Sequence, residues 1–511
     1  MLRLLYCMLK ESIDYSGLPV WQEKGGISLE QQYDLIVIGS GVSGMTAALR
    51  ARAAGVQNII ILEKAPRGGG NSRAAGGVFA TSGRTLEAAG YSMDSQAYYE
   101  SAMEQLQYSV NPELVRAYIF NSGEAVDWLA DTGLQFELKM MPFGCVMATI
   151  EDETLAEPYK KQSPTSHSYM GTAMVLHLQK LCEEQNIPIV LRTRAEALLT
   201  DESGRVCGVR ALQDKTEQVE YHGRAVILST GGVAGTVASL HEFFPQLFDP
   251  DDANFTFGSS HCVGDGIHMA EALGADTRRA MGILLKGPSH LGPGGTQALT
   301  YSADAIIVNQ YGKRFIDEEK IWNFHAALNN IPGKTTYTVA DAKLVNAMSE
   351  KMPPQPKPGT SLAPVTLLEG LQQEAKAGRV TCICDTLDEA AAFFGIPAEA
   401  LKQTVENYNA MCTAGKDTEL NKNPAHLQPI DTAPYYVLKG IRSTDSTYGG
   451  VRINSDFQAL RPDGTPIAGL YAVGDVATGF VAEIYAPPGA GFTWSLNSGY
   501  LCGKIAAEAI L

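Results

Sequence analysis

Apolar runs that stop at glycine set the pattern of this chain. Tyr33-Asp-Leu-Ile-Val-Ile38 is almost continuously apolar, as expected of a strand buried on both faces of a parallel sheet. Gly39-Ser-Gly-Val-Ser-Gly44 follows at once, and Met45 to Ala54 then reads as a helix that stops at Gly55. Asn58-Ile-Ile-Ile-Leu62 reads as a second strand running into Glu63, which completes one strand–helix–strand unit. Two later strands also end in glycine: Arg224-Ala-Val-Ile-Leu-Ser-Thr-Gly-Gly232 and Gly469-Leu-Tyr-Ala-Val-Gly-Asp475. Such segments at both ends of a chain imply an insert between them, and 278–435 is the expected insert. It carries the run Pro353-Pro-Gln-Pro-Lys-Pro358, read as an exposed loop, and two helical patterns, Leu387 to Phe394 and Ala398 to Met411. No internal repeat of fixed period is present.

With 511 residues the chain is too long for one compact core, so two domains are expected. Apolar residues make up 45% and charged residues 19%, ordinary values for a globular enzyme. The formal charge of −16 disfavours nucleic acid or an anionic membrane as partner. The nine cysteines are scattered and form no C-x-x-C, which argues against a redox dithiol or an attached haem and for a reducing compartment. Cys382-Ile-Cys384 reads as two packed thiols on a strand. No apolar run reaches membrane-spanning length. Residues 1–30 read as an extension of unknown purpose, and a cytoplasmic location is expected. No metal site is expected.

Gly39-x-Gly41-x-x-Gly44 lies after a strand and before a helix, the context that gives this spacing meaning. Gly39 allows the tight turn, Gly41 lets backbone approach a pyrophosphate, and Gly44 allows close helix–strand packing. Glu63 can accept hydrogen bonds from a ribose hydroxyl. A second glycine-rich loop, Gly68-Gly-Gly-Asn-Ser-Arg-Ala-Ala-Gly-Gly77, follows the acid directly. A simple NAD domain has no need of it, whereas FAD extends past the pyrophosphate and needs further main-chain NH groups. Asn71 and Ser72 are candidate side-chain donors. Gly474-Asp475 sets a carboxylate where a ribityl hydroxyl would bond it. Thr493-Trp-Ser-Leu-Asn-Ser-Gly499 reads as the opening of a C-terminal helix whose N-terminus would favour the charge of a reduced flavin.

The fingerprint, the Gly69–Gly77 loop, Ser229-Thr-Gly-Gly232, Gly264-Asp-Gly266, Ala305 to Phe315 and Gly469 to Gly479 occur here in order. Together they resemble the FAD-dependent fumarate reductase, succinate dehydrogenase flavoprotein and 3-ketosteroid dehydrogenase superfamily over about residues 33–511. The resemblance implies an α/β fold: a discontinuous Rossmann-like FAD-binding domain (31–277 and 436–511) with an inserted α+β cap, the substrate domain, at 278–435. It implies hydride transfer between a substrate carbon and the flavin while a protein group handles a proton on the neighbouring carbon. It widens the cofactor-binding set to Ser43, Lys64, Gly70, Gly76, Gly77, Ala195, Thr230, Gly231, Asp265, Gly474, Ser495 and Leu496. Ile441 to Val451 and Glu483 to Leu496 would face the substrate from the FAD side, and Lys286 to Trp322 from the cap.

The departures from that pattern carry the substrate expectation. Fumarate reductases use two histidines and two arginines around their diacid. Here Ser446, after Asp445, stands before Thr447-Tyr-Gly-Gly450 in place of a histidine, and Pro487-Pro-Gly-Ala-Gly491 carries no arginine. Trp322 stands at the catalytic arginine, and Gly287-Pro288 replaces the cap histidine, with His290 nearby. A diacid in a dry site needs paired cations, so fumarate and succinate are disfavoured. Ketosteroid dehydrogenases carry a tyrosine before a similar proline–glycine run; here Tyr485 lies two residues earlier. Tyr485 with the Gly489 or Gly491 NH is the expected ketone-polarising pair. Tyr301, Tyr448 and Asp445 are the candidate proton carriers, with Tyr301 also readable as a packed strand aromatic. Trp322 cannot serve, since an indole NH is no base at neutral pH. The expected partners are a small ketone or enone and a separate electron donor or acceptor. The alternatives are a reductase of an unsaturated acid, with Lys286, His290 or Arg442 as a lone cation, and a non-catalytic flavin-binding protein.

Overall fold

The computed structural model describes residues 31–140, 145–160, 169–245, 255–256, 258–277, 282–286, 292–323, 327, 335–355, 363–440, 443–480 and 490–511. The expected extension at 1–30 lies outside these residues.

The main sheet is built on strand β1 (Gln31–Ile38), followed by helix α1 (Val42–Ala53) and strand β2 (Ile59–Leu62). Strand β3 (Glu217–Leu228) pairs parallel to β1 on its other side, and strand β4 (Pro466–Ala472) pairs parallel to β3. The order β4–β3–β1–β2 therefore joins segments from both ends of the chain. All four strands are apolar and buried where they meet, which is why they read as continuous runs rather than as alternation. Their registers align the carboxyl ends: Ile38 is opposite Leu62 and Leu228, and Leu228 is opposite Ala472. Four loops thus leave one edge of the sheet side by side, where open α/β sheets bind ligands.

Helix α1 is almost wholly buried between this sheet and the C-terminal helix α2 (Ala490–Ile510). The two helices touch through glycine. A Cβ on Gly499 would lie 2.3 Å from the Ser43 carbonyl oxygen, and one on Gly503 would lie 2.3 Å from that of Ala47. Helix α2 begins before the expected Thr493. The Thr493 hydroxyl does not cap the helix; it accepts a hydrogen bond from the Phe79 NH at 2.9 Å.

The insert has its own four-stranded antiparallel sheet, in the order Ile306–Asn309, Thr336–Ala340, Tyr435–Lys439, Thr381–Cys384. Alternate side chains serve two small cores. Val437, Cys382 and Cys384 pack with the helices Leu387–Phe394 and Ala398–Ala414, while Tyr436 and Leu438 pack with Ala342–Lys351 and Leu367–Ala377. Both thiols of the Cys382-Ile-Cys384 run are buried on one face, as their spacing implies. The strand Tyr435–Lys439 belongs whole to this sheet, so the return to the FAD domain falls after Lys439 and not at 435/436. Pro353 and Pro354 are exposed; the rest of that proline run lies outside the described residues, Gln355 apart. Ile307 and Ile316 reach into the main core, which fastens the cap to the larger domain.

A buried charge network ties the cap together. The Arg314 guanidinium bonds both Glu318 carboxylate oxygens, at 3.0 and 2.8 Å, and Asp417 at 2.9 Å. The Lys422 ammonium lies 3.3 Å from Glu318 and donates to the Ala305 carbonyl and the Tyr408 hydroxyl. Two cations thus balance two carboxylates, and all four side chains are at most 1% exposed.

Candidate active site

A cleft of about 550 Å³ opens at the aligned carboxyl ends of β1 to β4. Gly39, Ser40 and Gly41 form its floor. Gly39 has φ of +105°, and a Cβ there would lie 2.3 Å from the Ser229 carbonyl oxygen, so only glycine fits this turn. A Cβ on Gly44 would meet the Gly39 carbonyl oxygen at 2.2 Å, which lets α1 start hard against the strand ends. Gly41 differs. Its φ is an ordinary −66°, and its Cβ would meet only the Ser72 Oγ, at 3.6 Å. The fold does not demand glycine at position 41; the missing side chain leaves room in the cleft.

The first turn of α1 takes no cap from Gly41; Ser72 Oγ accepts from the Val42 NH at 3.1 Å instead. The second glycine-rich loop is thereby locked onto the fingerprint, and Gly68 to Ala74 line the cleft. Glu63 leaves the end of β2. One of its oxygens accepts from the Ser40 NH (3.0 Å) and hydroxyl (2.6 Å), the other from the Ala65 NH (2.8 Å). A carboxylate has about four acceptor positions, so a ribose hydroxyl still finds one. Opposite, Ser229, Thr230 and Gly231 leave β3, while Asp475 and Ser495 come from the C-terminal section. The Thr230 hydroxyl is buried and bonds none of the described residues. Open cleft over a helix N-terminus where Gly41 lacks a side chain, an acid at the ribose position and an orphaned buried hydroxyl fit FAD.

Of the expected cofactor-binding residues, Gly39, Gly41, Ser43, Glu63, Lys64, Gly70, Asn71, Ser72, Ala195, Thr230, Gly231, Asp265, Asp475 and Ser495 line this cleft. The others stand behind or beside its wall. Gly44 packs the helix, and Gly77 lies where a Cβ would meet the Ala148 carbonyl oxygen at 2.7 Å. Gly474 is held by Ser498 and Trp494, Leu496 is buried in the core, and Gly76 is exposed. Lys64 and Asp265 pair with each other at 2.6 Å, and Arg194 adds a second bridge to Asp265 at 3.0 Å. Burial works against the Asp265 carboxylate, but the two cations outweigh it and hold its carboxyl below the usual range.

One wall was not read from the sequence: Ser259, Ser260, His261 and Cys262. Asn71 accepts from the Ser259 NH, which joins that wall to the glycine loop. Burial pushes the Cys262 thiol up to about 12, so it sits here as a neutral packing group and not as a nucleophile. The nearby Gly264-Asp-Gly266 motif was the available signal.

On the substrate side, the strands Gly282–Lys286 and Ser443–Tyr448 pair antiparallel, which sets Lys286, the first residue of the cap segment expected to face the substrate, opposite Ser443 of the FAD-side segment. Leu284 is opposite Ser446 and Leu285 opposite Thr444, which leaves Asp445 as the extra residue of a bulge. Bulges of this kind re-aim side chains next to active sites. Tyr448 is 3% exposed; its ring crosses Phe480 at 6.2 Å. A Cβ on Gly491 would lie 2.2 Å from the Tyr448 ring and 2.6 Å from its hydroxyl oxygen, so these two expected site residues are in contact. Tyr301 is not on a strand; it ends the short helix Gln297–Thr300 and packs half-buried against the main core. Trp322 lies in the turn Glu318–Asn323. The side chains of Trp322, Asp445 and Lys286, and the whole of Tyr485, Gly489, His290 and Arg442, lie outside the described residues.

The profile of a family described as an FAD binding domain matches residues 34–492. An NADH:fumarate oxidoreductase of Klebsiella pneumoniae is 26% identical over 90% of this chain, which spans 46% of that protein's length. A vinyl phenol reductase of Lactiplantibacillus plantarum is also 26% identical, over 94% of this chain and 98% of its own. Among solved structures, the 3-ketosteroid delta1-dehydrogenase of Sterolibacterium denitrificans aligns with a TM-score of 0.75 at 19% identity, covering 94% of this chain and 100% of that one.

Proposed function

The chain belongs to the FAD binding domain family, and from that premise we propose that it oxidises or reduces a carbon–carbon bond conjugated to a neutral polar group, a ketone first among them. Bound FAD would supply the centre that gives or takes the hydride. The residues that would hold it are the fingerprint Gly39, Gly41 and Ser43, Glu63 at the ribose, the loop from Gly68 to Ser72, Thr230, Asp475 and Ser495.

The observation that carries the substrate reading is the loss of the diacid clamp. Ser446, Trp322 and the run Pro487 to Gly491 stand where diacid reductases are expected to carry histidine or arginine. A buried dicarboxylate without those cations is too costly to bind. One relative matched over nearly its whole length is named a reductase of vinyl phenol, an alkene with no carboxylate, which supports a neutral substrate; another, matched over 93% of its length, is named a 4-oxocyclohexanecarboxylate 2-dehydrogenase, whose substrate bears a ketone and a single carboxylate and supports the ketone reading.

In this reading the Tyr485 hydroxyl and a Gly489 or Gly491 NH hold the ketone oxygen and stabilise the enolate that develops as the α proton leaves. Tyr448, wedged against Gly491, fixes the start of α2 that presents that NH. Asp445, set out of register by its bulge, is the first proton carrier to test, with Tyr301 and Tyr448 behind it. Electrons are exchanged with a separate donor or acceptor. The eight described cysteines are free, which supports the cytoplasmic placement, and no helix among the described residues is long and apolar enough to cross a membrane.

The test is a panel of acceptors added anaerobically to the photoreduced protein. Reoxidation by enones but not by fumarate or acrylate-type acids supports the proposal. Reoxidation by mono-acids alone replaces it with the lone-cation reading, for which Lys286, opposite Ser443 and close to the bulge, is a candidate alongside His290 and Arg442. No reoxidation by any acceptor favours a non-catalytic flavin protein.

A further inference from the structure

Glu63 takes the ribose in the reading above, so the cleft immediately beyond it borders the adenosine end of FAD. Three segments meet there. Backbone hydrogen bonds join the exit of β2 to the strand Thr193–Thr200: the Thr193 NH bonds the Glu63 carbonyl at 2.9 Å, and the Arg192 NH bonds that of Ala65 at 3.1 Å. The third segment, the helix Asp265–Ala272, is fastened to both by one side chain. One Asp265 oxygen takes the Lys64 ammonium at 2.6 Å, and the other takes the Arg194 guanidinium at 3.0 Å. Both oxygens are thus engaged by protein, although Asp265 and Lys64 themselves line the cleft.

We propose that the Lys64–Asp265–Arg194 bridge is an electrostatic clasp that controls retention of FAD at its adenosine end, rather than a set of direct cofactor ligands. This rests on the FAD reading of the cleft. On this proposal a dinucleotide leaving by this end parts the helix from the two strand segments, and each charge-assisted bond opposes that motion. The two bonds differ in shielding. The Asp265 and Lys64 side chains are 12% and 21% exposed, whereas Arg194 is 56% exposed. Salt therefore weakens the outer bond more than the inner one.

The experiment uses the full chain reconstituted with FAD and follows release by the recovery of free-flavin fluorescence at low and high salt. The wild type should release FAD faster as salt rises. Asp265→Asn keeps the shape but loses both ionic bonds; it should release FAD roughly tenfold faster and lose most of the salt dependence. Lys64→Gln loses only the inner bond; it should release FAD faster than the wild type while keeping much of the salt dependence, and combining it with Asp265→Asn should add little to Asp265→Asn alone, which already lacks that bond. Arg194→Gln should give a smaller increase. Release from Asp265→Asn at the wild-type rate with the wild-type salt response overturns the clasp while leaving the FAD reading intact. A wild-type chain that takes up no FAD removes the FAD reading itself. If circular dichroism finds Asp265→Asn misfolded, the exposed Arg194→Gln decides: weaker salt dependence supports the clasp, and an unchanged profile overturns it.

Discussion

At Asp265, burial and pairing pull the carboxyl in opposite directions, and pairing wins. Its carboxyl is held below the usual range, so pairing contributes stability above the unfolded value of about 3.9 and loses it as pH falls through the lower, folded value. Thermal melts of wild type and Asp265→Asn should therefore differ most above about pH 4 and converge in stronger acid. A gap that widens as the medium turns acidic would reverse the sign of this argument. The glycines make a second residue-scale point. Gly39 and Gly44 are demanded by neighbouring backbone, while Gly41 is demanded by nothing in the protein except the space above it.

Helices α1 and α2 hold the cleft floor in place because glycine lets their backbones approach. Gly499→Val would drive a branched side chain into the Ser43 carbonyl, costing about 1–3 kcal/mol of overpacking and displacing the N-terminal turn of α1. A lower melting temperature together with weaker FAD binding is the expected result; unchanged values for both would remove the role assigned to this contact. Elements of this kind were legible where a continuous apolar run met a glycine, as in β1, β3 and β4, or an acid, as β2 meets Glu63. The start of α2 was not. Thr493 resembles a helix cap, but its hydroxyl serves Phe79, 414 residues away in the chain. The strand Tyr435–Lys439 was divided at 435/436 because an apolar strand does not declare which sheet it joins. The wall Ser259–Cys262 has neither period nor glycine run to mark it. The pairing of Lys64 with Asp265 spans 201 positions and leaves no local trace.

At the scale of the whole molecule, a cap that carries substrate-facing segments must keep its own shape while resting on the larger domain. Its buried charge network supplies that stiffness, since Glu318 anchors both Arg314 and the Ile307 NH beside the turn that holds Trp322. Lys422→Met removes one cation and leaves two buried carboxylates on a single arginine. It should destabilise the protein by about 3–5 kcal/mol in denaturant unfolding, and a change within experimental error would show the network to be ornamental. The claim beneath all of this is that the cleft at the sheet's carboxyl edge is an FAD site. Equilibrium titration of FAD-depleted wild type and Gly41→Val, with circular dichroism as the check on folding, tests it most directly. One FAD per wild-type chain, and a folded Gly41→Val that takes up little or none, is the predicted result; equal uptake by both, or none by the wild type, would contradict it.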